Sequence, residues 1–150
     1  MSLKQWADNG WLRPHESSSQ EITGLLAIVE RDLSDAEGDI SADWRFGIAY
    51  NAALKLCIVL LHASGYRPEK NLQHYRSIAA LPLILGDEWK DEADYLDTCR
   101  RKRNIAEYEM AGVASQQDAT ELVDFVKELR QEVWDWLKKN HSKLLPDKRP

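Results

Sequence analysis

The chain contains few cysteine, glycine and proline residues, and this scarcity excludes several classes of protein. Its 150 residues include two cysteines, seven glycines and five prolines. Cys57 and Cys99 fall in two different helical patterns, which excludes a disulfide framework and does not match the ligand spacing of a zinc motif. Both thiols are therefore expected to be reduced and buried, as in a cytoplasmic protein.

Long apolar runs and excess positive charge are also lacking. No run approaches the roughly 20 apolar residues that a membrane span requires, and residues 1–16 have no apolar signal core. The formal net charge is −5, which argues against a general nucleic-acid coat because such proteins are basic overall. These absences predict a cytoplasmic protein with no membrane partner.

The chain does contain long segments with helical periodicity. The predicted main helices cover about residues 18–35, 41–64, 71–85, 87–109 and 115–140. No strand-like alternation stands out between them. Pro82 lies inside the third helix and is expected to kink it or end it early. Short connections between long helices indicate an all-α fold, an antiparallel up-and-down bundle of four to five long helices.

Three regions follow from this pattern. Residues 1–17 are expected to form an N-terminal arm that packs on the body, with a short helix before Pro14. Residues 18–140 form the helical bundle. Residues 141–150 are expected to form a flexible tail, because chain ends without an apolar pattern are seldom held in place.

A run of four cationic residues, 100–103, stands out in the fourth predicted helix of an otherwise acidic chain. On a helical wheel, Arg103 falls on the apolar arc of this helix, one turn after Cys99. Arg101 and Lys102 point away from that arc. The run is therefore not one patch, and Arg103 is the member directed towards the bundle or its seam.

Arg100, Asn104 and Tyr108 form a row along one edge of the same arc, at intervals of four residues. Arginine holds a phosphodiester through its planar, forked donors, and an asparagine beside it can position the phosphate by hydrogen bonds. Tyr108 can supply a hydroxyl or stack on a base. The row and Arg103 together are candidate residues for binding phosphate or RNA.

A structural interpretation of the arginines is equally open at this stage. Glu107 lies four residues after Arg103, and Asp97 lies three residues before Arg100, so both arginines can form ion pairs within their own helix. Such pairing would satisfy an arginine on a buried arc without any ligand.

His74 is the candidate for a missing general base, although a capping or surface histidine is the alternative interpretation. His62 is expected to be a satisfied core or helix-end histidine, and His15 and His141 carry little signal. No Glu-x-x-His pair of the kind found in di-iron bundles occurs, and no Gly-rich phosphate loop. We therefore expect neither a metal nor a cofactor.

Three segments resemble the HEPN superfamily (higher eukaryotes and prokaryotes nucleotide-binding), in particular a bacterial branch of it. They are AYNAALKLCIVLLHASGYRP at 49–68, HYRSIAALP at 74–82 and RRKRNIAEYE at 100–109. The resemblance covers about residues 18–140 and implies a HEPN-like bundle. Active members of that family are metal-independent ribonucleases that work as dimers, often as toxins or in defence, and some pair with a small nucleotidyltransferase.

The resemblance assigns Arg103 to the arginine of the family's motif and Asn104 to the polar residue that follows it. Tyr108 stands where the motif has a histidine. A histidine with a pKa of about 6.5 can donate or accept a proton at neutral pH, whereas a tyrosine with a pKa of about 10 is a poor base. The substitution favours binding over cleavage.

The resemblance thus implies a homodimer that binds RNA or a nucleotide through Arg100, Arg103 and Asn104. It would be the toxin-like or defence-associated partner of a two-component system, together with a small nucleotidyltransferase-like antitoxin. Two alternatives stay open. One is a weak metal-independent ribonuclease that uses Arg103 with Tyr108 or His74. The other is a non-enzymatic dimeric interaction protein.

Overall fold

Helices surround one long central helix in the computed structural model, which describes residues 1–146. In chain order the elements are α1 (Leu3–Asp8), β1 (Leu12–Pro14), α2 (Ser19–Ala36), α3 (Ala42–Ala63), β2 (Tyr66–Pro68), α4 (Gln73–Ala79), α5 (Leu81–Leu85), α6 (Lys90–Tyr108) and α7 (Gln116–Asn140). Single 3₁₀ turns lie at Asp87–Trp89 and Ser142–Leu144. The prediction of a mainly helical protein is confirmed.

Serine residues set the start of four helices. In each case the serine oxygen accepts a hydrogen bond from the backbone N–H three residues later, which satisfies a donor that every helix start leaves free. These serines are Ser2, Ser18, Ser41 and Ser115. Because the caps are local in sequence, α2, α3 and α7 begin within one residue of their predicted positions, whereas α6, which has no side-chain cap, begins three residues after its predicted start.

The third predicted helix is divided in two, as Pro82 led us to expect. Helix α4 ends at Ala79 and α5 starts at Leu81, so Pro82 occupies the first turn of α5. A proline is tolerated there because that N–H has no partner within the helix. Gly86 then ends α5 with a φ of 112°, a conformation that favours glycine.

Helix α3 is the centre of the bundle and packs against α2, α6 and α7. Its residues from Ala49 to Leu61 are almost continuously buried. By length and composition alone α3 could cross a membrane, so the expectation that no segment reaches this length was wrong. In the fold, 67% of its most apolar stretch is buried, as in the core helix of a soluble bundle.

The N-terminal arm packs on one end of the bundle through a small apolar cluster, in which Trp6 and Leu12 contact Leu61. Strand β1 in the arm pairs antiparallel with β2 after α3. The sequence did not predict this strand pair. Each strand has three residues and ends in a proline, which is too short for an alternating pattern.

The packed part of the chain extends past the predicted bundle end at residue 140. Leu144 and Leu145 pack against the core that α2 and α7 share with α3. The rest of the predicted flexible tail, residues 147–150, lies outside the described residues.

Candidate functional site

Helix α6 turns one arginine inward and another outward, as the helical wheel predicted. Cys99 is buried, Arg103 one turn later has 24% of its side chain exposed, and Arg101 has 64% exposed. The outward orientation predicted for Lys102 was wrong. Its ammonium pairs with Asp118 in the first turn of α7 at 3.1 Å, because the long lysine stem can lie along the helix surface.

Arg103 is held by its own helix and by an aromatic ring. Its Nη2 pairs with Glu107 Oε2 at 2.7 Å, and its Nη1 donates to Asn104 Oδ1 at 3.2 Å. Its guanidinium carbon lies 5.6 Å from the centroid of the Tyr50 ring in α3, within reach of a cation–π interaction. The predicted ion pair with Glu107 is therefore present.

Two cavities of about 360 and 220 Å³ lie beside Arg103, between α3 and α6. The exposed Trp44 ring borders both of them. Asp32 borders the smaller one and accepts a hydrogen bond of 2.7 Å from Asn51. Because the carboxylates of Asp32 and Glu107 lie beside Arg103 here, an anion in the smaller cavity would meet repulsion as well as attraction.

A larger groove of about 540 Å³ lies between α6 and the start of α4. Lys70 and Arg100 bring positive charge to it, and His74, Tyr75 and Asn104 bring polar and aromatic groups. None of the residues that line it within the described part of the chain is a carboxylate. In a protein of net charge −5, this lining therefore combines two cationic side chains with no anionic one, and the carboxylate that pairs with Arg100, Asp97, lies outside it.

Arg100 keeps part of its hydrogen-bonding capacity for this groove. Its Nε donates to Asp97 Oδ1 at 2.8 Å, which is the predicted ion pair within the helix. Its guanidinium carbon lies 5.7 Å from the centroid of the Tyr75 ring. Its two terminal nitrogens make no hydrogen bond within residues 1–146, so they can still meet a phosphate as a fork.

His74 lies at the base of the same groove and is held by Tyr50. Its Nδ1 is 3.3 Å from the Tyr50 hydroxyl oxygen. Burial lowers the pKa of His74, and the positive charges of Arg103, Lys55 and Arg100 lower it further. Burial also raises the pKa of Tyr50. At neutral pH both side chains are therefore uncharged, and His74 is in the form that can accept a proton.

Tyr108 is the last residue of α6 and is 73% exposed. The Arg103 guanidinium carbon lies 6.0 Å from its ring centroid. The loop after Tyr108 is fixed by Asp43, which accepts hydrogen bonds from the backbone N–H groups of Gly112 at 2.6 Å and Ala114 at 3.0 Å. These bonds lower the pKa of Asp43 and hold the end of α6 beside α3.

The structure thus divides the predicted site residues into two places. Arg100, Asn104 and His74 line the groove between α4 and α6, whereas Arg103 lines the two cavities between α3 and α6. The link between the two places is Tyr50, which the sequence analysis did not select. A tyrosine inside an apolar helix was the available signal, since a buried phenol usually has a hydrogen-bond partner.

A second polar cluster, also not predicted, lies where the arm meets the bundle. Glu21 Oε1 is 2.8 Å from His15 Nε2 and 2.5 Å from His62 Nδ1. Spacing along the chain could not show it, because His62 is 41 residues from Glu21. The signal was topological: in two antiparallel neighbouring helices, the first turn of α2 lies beside the last turn of α3.

Comparisons with known proteins add no relative to this picture. A scan against protein-family models, a search of curated proteins and a search of solved structures each find no match to this chain. The HEPN assignment therefore rests on the sequence segments alone, and the function is argued from the groove and its residues.

Proposed function

We propose that the chain is a HEPN-like protein that binds RNA or a nucleotide in the groove between α4 and α6. The observation that carries this proposal is that Arg100, Asn104, His74 and Lys70 line one open groove without a carboxylate among its described lining residues. Phosphate is the ligand that such a set of donors recognises, because it needs several hydrogen bonds and compensation of its negative charge.

Arg100 would make the direct phosphate contact. An ion pair within one helix at the surface contributes only about 0–1 kcal/mol, so Asp97 competes weakly with a phosphate. The bond to Asp97 uses Nε and leaves the terminal nitrogens of Arg100 for the ligand. The Asn104 side chain, one turn further along α6, borders the same groove and can donate a further hydrogen bond.

Tyr75 would give the groove its preference for nucleic acid over free phosphate. Its ring is exposed and lies at the rim, with the Arg100 guanidinium near its face. An aromatic ring beside an arginine offers a stacking surface for an unpaired base. We therefore expect single-stranded RNA to bind better than inorganic phosphate.

The proposal includes a homodimer, and exposed apolar side chains support it. Trp44, Ile105, Tyr108 and Met110 are all exposed near the carboxyl end of α6. Apolar side chains gathered at one end of a soluble protein mark an interaction surface. In this proposal a second copy of the chain covers that end of the bundle. A separate partner, a small nucleotidyltransferase-like antitoxin, would neutralise the toxin-like or defence-associated activity.

Fluorescence-anisotropy titration of a single-stranded RNA oligonucleotide tests the groove. Arg100→Gln should weaken binding by about tenfold, the loss of one hydrogen bond to a charged group. Arg101→Gln is the matched control, because Arg101 also pairs with Asp97 but is mostly exposed, and its affinity should stay near that of the wild type. Equal affinity of all three proteins would reject the groove and favour the non-enzymatic interaction protein.

A weak metal-independent ribonuclease is the second candidate, because an uncharged His74 lies in the same groove as Arg100. Cleavage of RNA requires a base for the 2′-hydroxyl and charge stabilisation of the phosphorane, roles that fit His74 and the arginines. Tyr108 would then donate the proton to the leaving oxygen. Cleavage by metal-free protein should be lost in His74→Ala and reduced in Tyr108→Phe. Cleavage that persists in Arg103→Ala would indicate a contaminating nuclease.

A further inference from the structure

We propose that His15, Glu21 and His62 bind a divalent transition-metal ion, with Zn²⁺ as the best match, where the N-terminal arm meets the bundle. The three ligating atoms lie within 4.8 Å of one another. Both imidazoles direct a ring nitrogen at the same carboxylate oxygen, at 2.8 Å from His15 and 2.5 Å from His62. Two histidines and one carboxylate form a ligand set typical of zinc sites that keep a fourth position open.

Each ligand is placed by a backbone contact of its own segment. The N–H of His15 donates to the Gly65 carbonyl at 2.9 Å, at the end of the β1–β2 pair. Glu21 lies in the first turn of α2, where its N–H donates to the cap Ser18. The carbonyl of His62, in the last turn of α3, accepts a hydrogen bond from Ser17. Because these segments are already held together, metal binding would order little additional chain.

Each imidazole must present a lone pair at the ring nitrogen that faces Glu21 before a metal can bind there. Burial lowers the pKa of the partly buried His62, against the opposing effect of Glu21. The hydrogen bonds from both histidines hold the pKa of Glu21 below its ordinary value, although burial opposes this. A metal at this position would therefore replace the two hydrogen bonds to Glu21, and the ring protons would move to the other ring nitrogens or to solvent. The charges of His15 and Arg67 also lower the pKa of His62.

The distances fit a zinc ion after a small opening of the cluster. A tetrahedral site with Zn–N bonds of about 2.0–2.1 Å places neighbouring ligand atoms about 3.3 Å apart. The two contacts to Glu21 are shorter than this, so the carboxylate would withdraw by about 0.5 Å from His15 and about 0.8 Å from His62, within the freedom of a glutamate side chain. Nitrogen ligands disfavour Mg²⁺ and Ca²⁺, which prefer oxygen.

The consequence of metal binding would be a stronger attachment of the arm to the bundle. His15 belongs to the arm, whereas Glu21 and His62 belong to α2 and α3. The cluster also lies about 18 Å along α3 from Tyr50, at 1.5 Å per helical residue. Metal binding there should therefore leave RNA binding in the α4–α6 groove unchanged.

Isothermal titration of metal-stripped full-length protein with Zn²⁺ tests the site. The wild type should bind one ion per chain with a raised melting temperature. Loss of a supporting residue outside the ligand set already costs 10–100-fold in affinity at metal sites, so His62→Gln and His15→Gln should each weaken binding by about a hundredfold or more. His141→Gln is the control, because His141 packs on Trp136 outside the cluster, and it should bind Zn²⁺ like the wild type.

A second measurement keeps the test independent of whether a variant folds. Co²⁺ bound to the wild type should give the visible absorption of a tetrahedral ion, and Zn²⁺ should remove it. Wild-type protein that binds neither ion would overturn the proposal. So would folded His62→Gln and Glu21→Gln proteins that bind Zn²⁺ as tightly as the wild type, since the metal would then lie elsewhere.

Discussion

Replacing Arg100 by glutamine should change not only the affinity for RNA but also its dependence on salt. A cation that contacts a phosphate releases a counterion, so each contact contributes to the slope of the logarithm of affinity against the logarithm of salt concentration. Arg100 bonds Asp97 through Nε and has two terminal nitrogens available in a groove whose described lining residues include no carboxylate. We therefore expect it to account for one phosphate contact, and Arg101, on the outer side of α6, to account for none.

The expected size follows from this single contact. On single-stranded nucleic acid one phosphate contributes about 0.7 to the slope, so between about 50 and 200 mM salt the wild type should lose about 2.6-fold more affinity than Arg100→Gln. If the wild type binds about tenfold more tightly than Arg100→Gln at the lower salt concentration, it should bind only about fourfold more tightly at the higher one. A purely structural role of Arg100 would keep this ratio constant.

Asp97 provides the internal check, because it pairs with both Arg100 and Arg101. Asp97→Asn should tighten RNA binding by freeing Arg100, and Arg100→Gln in this background should still reduce the slope by about 0.7. Anisotropy titrations at four salt concentrations give the slopes. Equal slopes for the wild type and Arg100→Gln, or the same reduction in Arg101→Gln, would refute a phosphate contact at Arg100.

Three further predictions concern stability and stacking. Leu129→Ala removes a fully buried α7 side chain and should lower the free energy of unfolding by about 3 kcal/mol, which corresponds to a fall in Tm of about 6–12 °C. A fall of less than about 2 °C by calorimetry would contradict the core position of Leu129. Hydrogen bonds from the backbone of Ser115 and from Lys102 lower the pKa of the Asp118 carboxyl below its ordinary value of 3.8. The stabilisation that the ionised carboxylate gives the fold is therefore present above pH 3.8 and is lost as the pH falls through the pKa of the folded state. Urea unfolding should therefore give Asp118→Asn a lower free energy of unfolding than the wild type at neutral pH, and this difference should shrink in acid. A difference that does not change with pH would show that it does not come from the charge of Asp118. If the exposed ring stacks on a base, Tyr108→Phe should retain RNA affinity and Tyr108→Ala should lose about 1–3 kcal/mol of binding free energy. Equal losses in both variants would assign the role to the hydroxyl.

The helices could be predicted because their determinants are local. Periodic apolar positions and serine caps specify where α2, α3 and α7 begin and which face they bury. Pro82 likewise acts within its own turn and separates α4 from α5. Such features can be recognised from neighbouring residues without knowledge of the rest of the chain.

Features that depend on pairing between distant segments could not be predicted in the same way. Strand β1 is three residues long and is stabilised by β2, which follows only after two long helices. Lys102 was predicted to face solvent because a helical wheel shows only the direction in which a side chain leaves the helix axis. It does not show that the lysine stem can reach the Asp118 carboxylate on α7. The cluster of His15, Glu21 and His62 depends in the same way on which helix ends are neighbours.

The candidate site was predicted in its residues but not in its arrangement, and the reason lies in how α3 accommodates Arg103. A charged group on an inward arc is costly unless partners surround it. Gly47 leaves open space between α3 and α6, and Tyr50 one turn later presents its ring to the guanidinium. The hydroxyl of the same tyrosine lies 3.3 Å from Nδ1 of His74 in the α4–α6 groove, and the charge of Arg103 adds to the effect of burial in lowering the pKa of His74. Arg103 therefore acts on the α4–α6 groove from the neighbouring cavities, through its contact with the Tyr50 ring and through its charge, which lowers the pKa of His74.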